Sequence, residues 1–276
     1  ARFLRALSYY HAMDLFGNVP FVTEEDRVGA FQPERISRAD LFAYVESELI
    51  DLSSSLSMAG SVPYGRATRE AAETLLAKTY LNAEVYTGQN RYADCRSYCE
   101  KVINSGAYQL DADYQHLFLA DNQNSPEIIF PVVYDGLYAQ TWGGTTYLVC
   151  GALGGSMNAD DYGVNGKWGG LRSTSVFVNK FPDTTEDSRF LFYRDGQDLE
   201  ITSLGTFTQG YAYPKYKNIT SVGDVGSNNG SSAHVDIDFP MFRLADVYLM
   251  LAESAWREGD QGTAVNYVNM LRERAY

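Results

Sequence analysis

The residues able to do chemistry form no familiar catalytic pattern. Three histidines, His11, His116 and His234, are scattered along the 276-residue chain, and each reads as a core or surface side chain. There is no HExxH, no CxxC and no calcium-loop pattern with its glycine, and no serine lies in a GxSxG elbow. Gly166-Lys167 is followed by Trp168 and lacks the upstream spacing of a phosphate loop. Carboxylates do come in pairs: Asp160-Asp161, Asp183 with Glu186-Asp187, and Asp236 with Asp238. A glycosidase needs two carboxyls about 5 to 10 Å apart across a bound sugar. With 35 acids in the chain some pair meets that condition by chance, so these pairs read as solvated surface and no catalytic residue is assigned.

Aromatic side chains are the compositional departure, with 21 tyrosines and 14% aromatic residues overall. A flat ring offers a broad apolar face to the C–H face of a pyranose, while a phenol or indole edge keeps a polar handle. Asparagine, aspartate and arginine beside such rings can bond adjacent hydroxyls, because each presents two donors or acceptors at fixed spacing. From Asp135 to Gly170 hydrophobic periodicity disappears, and a loop of that length inside a compact domain is more often functional than accidental. Tyr138, Trp142, Tyr147, Asn158, Asp160, Asp161, Tyr162, Asn165, Trp168 and Arg172 lie in or beside this stretch and make the candidate ligand-binding set. The competing reading is that these rings fill a loop-rich core, with Trp168 among Gly166, Gly169 and Gly170 in a packed turn.

A formal charge of −13 argues against a nucleic-acid backbone or an anionic membrane surface as the main partner. A hydrophobic content of 45% supports a sizeable core. No apolar run reaches the roughly 18 residues of a membrane span, and no signal peptide is present. The chain opens inside one helical pattern and stops inside another, as a fragment or processed product would. Cys95, Cys99 and Cys150 are an odd set and read as free, buried thiols. The sequons at Asn218 and Asn229 matter only in a host that glycosylates.

The elements that must position the loop are helical. Thr68 to Gly106 reads as two amphipathic helices, with Leu75, Leu76, Thr79, Tyr80 and Ala83 on the first face and Tyr92, Cys95, Tyr98, Cys99, Val102 and Ile103 on the second. Gly88 supplies the left-handed turn between them. Residues 243–274 repeat the layout around Gly259. Ala93 and Ala264 each lie five residues past the turn glycine, as in tetratricopeptide-like hairpins, where a small side chain lets the helices close. The first helix spans Arg2 to Phe16. Another starts at Ser37 with Asp40 as reciprocal acid and Ile36 and Leu41 as a staple, and runs to about Leu56. Extended pieces are expected at Phe21-Val22, Tyr108 to Leu110, Glu127 to Tyr134 and Val235 to Phe239, and a short helix at Ser173 to Phe181.

Five stretches resemble the SusD/RagB family: ARFLRALSYYHAMDLFGNVPFVTE at the start, GRATREAAETLLAKTYLNAEVY from Gly65, SPEIIFPVVYDG from Ser125, NGKWGGLRSTSVFVNKF from Asn165 and FRLADVYLMLAESAWREGD from Phe242. They occur in family order. The resemblance implies a mainly α fold of tetratricopeptide-like hairpins with long loop and short-strand insertions. It implies one domain over 1–276, with a helical scaffold at 1–106 and 242–276 and a ligand-binding insertion at 107–241. It further implies non-enzymatic capture of an oligosaccharide at the outer face of the outer membrane, as the lid of a SusC-like TonB-dependent transporter. Attachment would be through a lipidated cysteine absent from this chain. No cofactor is implied, although some members carry a loop calcium, for which Asp135 or Asp160 could serve. Two other functions stay open: a helical-repeat groove for a peptide or protein, and a glycoside hydrolase.

Overall fold

The computed structural model describes residues 1–27, 29, 31–182 and 185–276. Asp183, one of the paired acids, lies outside the described residues. In chain order the elements are α1 (Arg2–Phe16), β1 (Val19–Pro20), β2 (Arg35–Ile36), α2 (Arg38–Ser55), α3 (Arg69–Leu81), α4 (Ala83–Thr87), α5 (Tyr92–Asn104), β3 (Ile128–Val132), α6 (Gly144–Ala152), β4 (Arg172–Ser173), α7 (Ser175–Val178), β5 (Tyr211–Ala212), β6 (Phe239–Arg243), α8 (Leu244–Arg257) and α9 (Gln261–Ala275). The chain is mainly α, with strands of two to five residues, as its helical periodicities require. Two compact units divide it: Ala1–Tyr108 with Phe242–Asn269, and Gln109–Met241 with Met270–Tyr276.

The first unit is a stack of helices. At the start of α2, Ser37 Oγ accepts from Asp40 N at 3.1 Å, the cap its sequence predicts, and donates to Asp40 Oδ2 at 2.6 Å, so the acid answers the serine hydroxyl. Leu41, Phe42, Val45, Leu49 and Leu52 then face the core. Thr68 caps α3 by accepting from Ala71 N at 3.3 Å through its Oγ1. Helix α3 is buried on nearly every side and packs against α2, α5 and α8, so its buried positions, Glu70 and Glu73 among them, run round the helix rather than in one stripe. The single helix expected from Thr68 breaks at Asn82, whose carbonyl accepts from Val85 N and Tyr86 N and so restarts the chain as α4. Gly88 closes α4 at φ 77° and Gly259 ends α8 at φ 87°, a region L side chains rarely adopt. The small-residue contact holds at Ala264, which is buried. It does not hold at Ala93, which is exposed; Cys95 and Cys99 fill the α5 seam instead, with Cys95 Sγ 3.9 Å from Met250 O.

The second unit has short elements and long connections. Its larger core joins Val149, Cys150, Leu153, Met157, Tyr162, Val164, Ala212, Ala233, Val235 and Ile237, and a smaller one joins Tyr114, Leu117, Phe118 and Ile128. Strand β3 pairs with β6, whose residues through Met241 belong to this unit, and β4 pairs antiparallel with β5. Buried asparagines replace ladder bonds. Asn122 Oδ1 accepts from Asp238 N and its Nδ2 donates to Asp238 O and Leu117 O. Asn218 Oδ1 accepts from Asp236 N and its Nδ2 donates to Gly163 O. The backbone of Asp236 and Asp238 is therefore bonded to side chains, and the regular strand begins only at Phe239, four residues later than the sequence reading placed it. Asn218 is fully buried, which closes its sequon to modification in the folded chain. Tyr108 to Leu110 forms no strand among the described residues; Gln109 N bonds Pro126 O at 3.1 Å.

Helix α6 lies inside the stretch read as an aperiodic loop. Its buried set of Thr145, Thr146, Val149, Cys150, Gly151 and Ala152 leaves too little polar face to show a helical stripe, and its glycines and threonines are weak helix formers. Burial pushes the Cys150 thiol up to about 11, so this cysteine is a neutral core side chain.

Candidate functional site

The loop before α6 is held from beneath by one carboxylate. Asp236 Oδ1 accepts from Gly136 N at 2.8 Å and Ser227 Oγ at 2.6 Å, and its Oδ2 accepts from Ser227 N. Asp135 Oδ1 accepts from Leu137 N and Tyr138 N, both at 2.7 Å, which makes an Asx-type turn. Trp142 follows, and then Gly143-Gly144 swings the chain into α6. Gly144 has φ 56°, and a Cβ there would fall 2.1 Å from Tyr134 Oη. Only glycine admits that close approach.

Trp168 is brought to the same place from the other side. The carbonyls at the C-terminal end of α6, which lack i+4 partners in the helix, are taken up by the returning chain: Trp168 N bonds Cys150 O at 2.8 Å beside the C-cap Leu153 N at 3.3 Å, Gly169 N bonds Leu153 O at 2.9 Å and Leu171 N bonds Gly151 O at 2.9 Å. Trp142 and Trp168 then stand with ring centroids 6.0 Å apart, and Tyr147 of α6 stands 6.4 Å from Trp168. These rings stay open, with Trp142 67%, Tyr147 46% and Trp168 38% exposed. A fourth ring, His234, backs Trp142 at 4.5 Å and points Nδ1 at Thr141 O, 3.2 Å away, an arrangement that makes Nδ1–H the donor. Read alone, His234 is an isolated histidine; only its distance from Trp142 in space reveals its place.

The remaining candidates are dispersed. Tyr138 is 90% exposed and makes no ring contact with the other three among the described residues. Asn158 caps the 3₁₀ turn Ala159–Tyr162 by accepting from Asp160 N at 3.3 Å, and Asn158, Asp160 and Asp161 are exposed. Lys167 Nζ donates to Gly155 O and Met157 O, which ties the approach to Trp168 to the approach to that turn. Asn165 Nδ2 donates to Ser231 O at 2.7 Å. Two residues of the set are turned inward. Tyr162 is 8% exposed within the larger core, and burial raises its phenol above the usual range. Arg172 points its guanidinium at backbone carbonyls: Nη1 donates to Thr206 O at 2.7 Å and Gln209 O at 2.8 Å, and Nη2 donates to Leu204 O at 2.9 Å.

The acid–base residues are likewise engaged in structure. Asp238 Oδ1 accepts from Tyr134 N at 2.8 Å. Asp187 takes Arg189 Nη2 at 2.7 Å and Nε at 2.8 Å. His116 Nδ1 meets Asp111 Oδ2 at 2.7 Å, and Ser125 Oγ donates to the same oxygen at 2.6 Å. Among the described residues no group of three His, Cys, Asp or Glu side chains could hold a metal ion, and Asp135 is engaged in its turn.

The model described as SusD family matches residues 72–276, and the starch-binding protein SusD of Bacteroides thetaiotaomicron is 32% identical over 99% of this chain. The chain belongs to the SusD family. It spans 57% of that SusD's length and 55% of SusD-like protein P25 of Formosa agariphila, to which it is 25% identical over its full length. A SusD superfamily protein from Parabacteroides distasonis superposes with a TM-score of 0.76 at 24% identity, over 99% of this chain and 58% of that one. Surface glycan-binding protein A from Bacteroides uniformis gives 0.72 at 20% identity, over 99% and 57%. A structure solved with a xylogluco-oligosaccharide gives 0.73 at 22% identity, over 99% and 57%. These likenesses establish the SusD fold.

Proposed function

We propose that this SusD-family chain binds a glycan without turning it over, on a platform made by Trp142, Tyr147 and Trp168. The observation that carries the reading is the open face of these three neighbouring rings, with the Trp168 segment fastened to the end of α6 by backbone hydrogen bonds. A ring held in place loses little entropy when a sugar stacks on it. Tyr138, Asn158, Asp160, Asp161 and Asn165 are exposed and are polar groups of the same stretch left open to a ligand that extends beyond the rings. The engagement of Asp187, Asp236 and Asp238 in hydrogen bonds to the fold supports binding over hydrolysis. The names of its relatives, a starch-binding protein and a surface glycan-binding protein, point the same way. The family resemblance extends the proposal to the outer face of the outer membrane, with a lipid anchor and a SusC-like TonB-dependent transporter that receives the ligand.

Calorimetry against a panel of soluble glycans and peptides tests this, with the intact chain beside Trp142→Ala and Trp168→Ala. Glycan binding that weakens by about tenfold, roughly 1.4 kcal/mol, in either folded variant supports the platform. Binding of peptides alone, or glycan binding that survives both substitutions, would transfer the function to another surface and to the helical-repeat reading.

A further inference from the structure

The inward turn of Arg172 leads to a second contact surface. Residues 198–210 leave and return at one point, where Asp198 N bonds Thr208 O and Gly210 N bonds Asp198 O. The loop between is braced from within: Gln209 Oε1 accepts from Thr202 N at 2.9 Å, Ser203 N at 2.8 Å and Thr202 Oγ1 at 3.1 Å. Arg172, on β4 beside β5, grips its far side through the carbonyls of Leu204, Thr206 and Gln209. What this bracing presents is apolar. Phe207 is 50% exposed and Leu204 82% exposed, and the Arg172 guanidinium covers one face of the Phe207 ring at 5.2 Å.

The position of that ring matters most. A Cβ at Gly169 would lie 3.1 Å from Phe207 Cδ2, so Phe207 packs directly against the residue after Trp168. A rigid loop that holds a phenylalanine open beside a tryptophan platform gains little for folding, since the ring would be better buried. Its use is at the surface.

We propose that Phe207 is a further glycan-contact residue, a subsite next to Trp168 that engages the sugar units beyond those on the tryptophan pair, and that Arg172 acts as its positioning residue. This rests on the reading of Trp142, Tyr147 and Trp168 as the glycan platform. The ligand class it implies is an oligosaccharide long enough to cross Gly169, with apolar pyranose faces presented to successive rings. Arg172 contributes by setting the loop, not by bonding the sugar.

The test is a chain-length series. Maltooligosaccharides and xylogluco-oligosaccharides of increasing length are titrated against the intact chain, Phe207→Ala, Phe207→Trp, Arg172→Lys and Trp168→Ala. Phe207→Ala is expected to weaken the longest ligand by about threefold to tenfold, the range that loss of one ring contact gives, and to leave the shortest binding homologue unchanged. Phe207→Trp should restore the loss, because it restores a ring where a merely structural side chain would need the original shape. Arg172→Lys, which cannot fork onto several carbonyls, should share the long-chain loss. If Trp168→Ala weakens every length while Phe207→Ala weakens none, or weakens all lengths equally, the subsite is overturned and the platform stands. If the intact chain binds no member of either series and no glycan of the wider panel, the platform reading falls and the subsite falls with it.

Discussion

Replacing Arg274 with alanine should destabilise the second unit strongly. Near its C-terminus α9 sends Arg274 Nη1 to Glu127 Oε2, and the two side chains are 9% and 0% exposed. Removing one partner of a buried pair leaves a desolvated charge and costs about 3 to 5 kcal/mol. Glu127 Oε2 also accepts from Asp111 N at 3.0 Å, a bond that survives the substitution, so the cost should fall near the lower end, about 3 kcal/mol. At about 2 to 4 °C per kcal/mol for a domain of this size class, Tm drops by about 6 to 12 °C. The pair should also couple to its neighbours, because Asp111 in turn holds His116 and Ser125. Urea unfolding and scanning calorimetry of Arg274→Ala, Glu127→Gln and Arg274→Met/Glu127→Gln measure this. The double variant should recover much of the loss, since it removes the charge as well as its counter-charge. A loss under about 1 kcal/mol in Arg274→Ala, the value of an exposed pair, would refute the claim that the carboxylate is dry.

Three further outcomes follow from single side chains. Glu73 is buried in α3, and desolvation, with Glu70 adding to it, raises its carboxyl above the usual range. Folding therefore takes up a proton, and stability falls as pH rises from the unfolded value of about 4.3 through the folded one. Glu73→Gln should raise Tm at pH 7 and lose that advantage near pH 4. Asp187 has the opposite sign: hydrogen bonds from the Arg189 side chain lower its carboxyl. Its stabilisation is present above the unfolded value of about 3.9 and is lost as pH falls through the folded one, so Asp187→Asn should flatten the acid limb of a Tm–pH curve. Gly163 has φ 68°, and a Cβ there would meet the Asn218 backbone carbonyl oxygen at 2.1 Å. Gly163→Ala should cost about 2 kcal/mol or more by denaturant unfolding, and an effect within experimental error would remove Asn218 from the centre of its network.

The sequence by itself determined the features whose causes are local. The Ser37 and Asp40 cap, the apolar face of α2 and the left-handed glycines Gly88 and Gly259 all depend on residues within one or two helical turns, so spacing shows them. The family pattern was legible because its five stretches keep their order along the chain. Other features depend on partners distant in sequence. Asn122 and Asp238, 116 residues apart, exchange bonds that elsewhere belong to a strand ladder, and no periodicity marks such a pair. Burial on most sides hid α6, because a helix without a polar face lacks a stripe. The candidate residues came from one stretch of chain, yet composition could not say which way each side chain points. Tyr162 turned into the core and Arg172 onto carbonyls, while Trp142, Tyr147 and Trp168 met at the surface with His234 behind them. Side-chain direction follows from the packing of every neighbour at once, and that is a property of the folded chain.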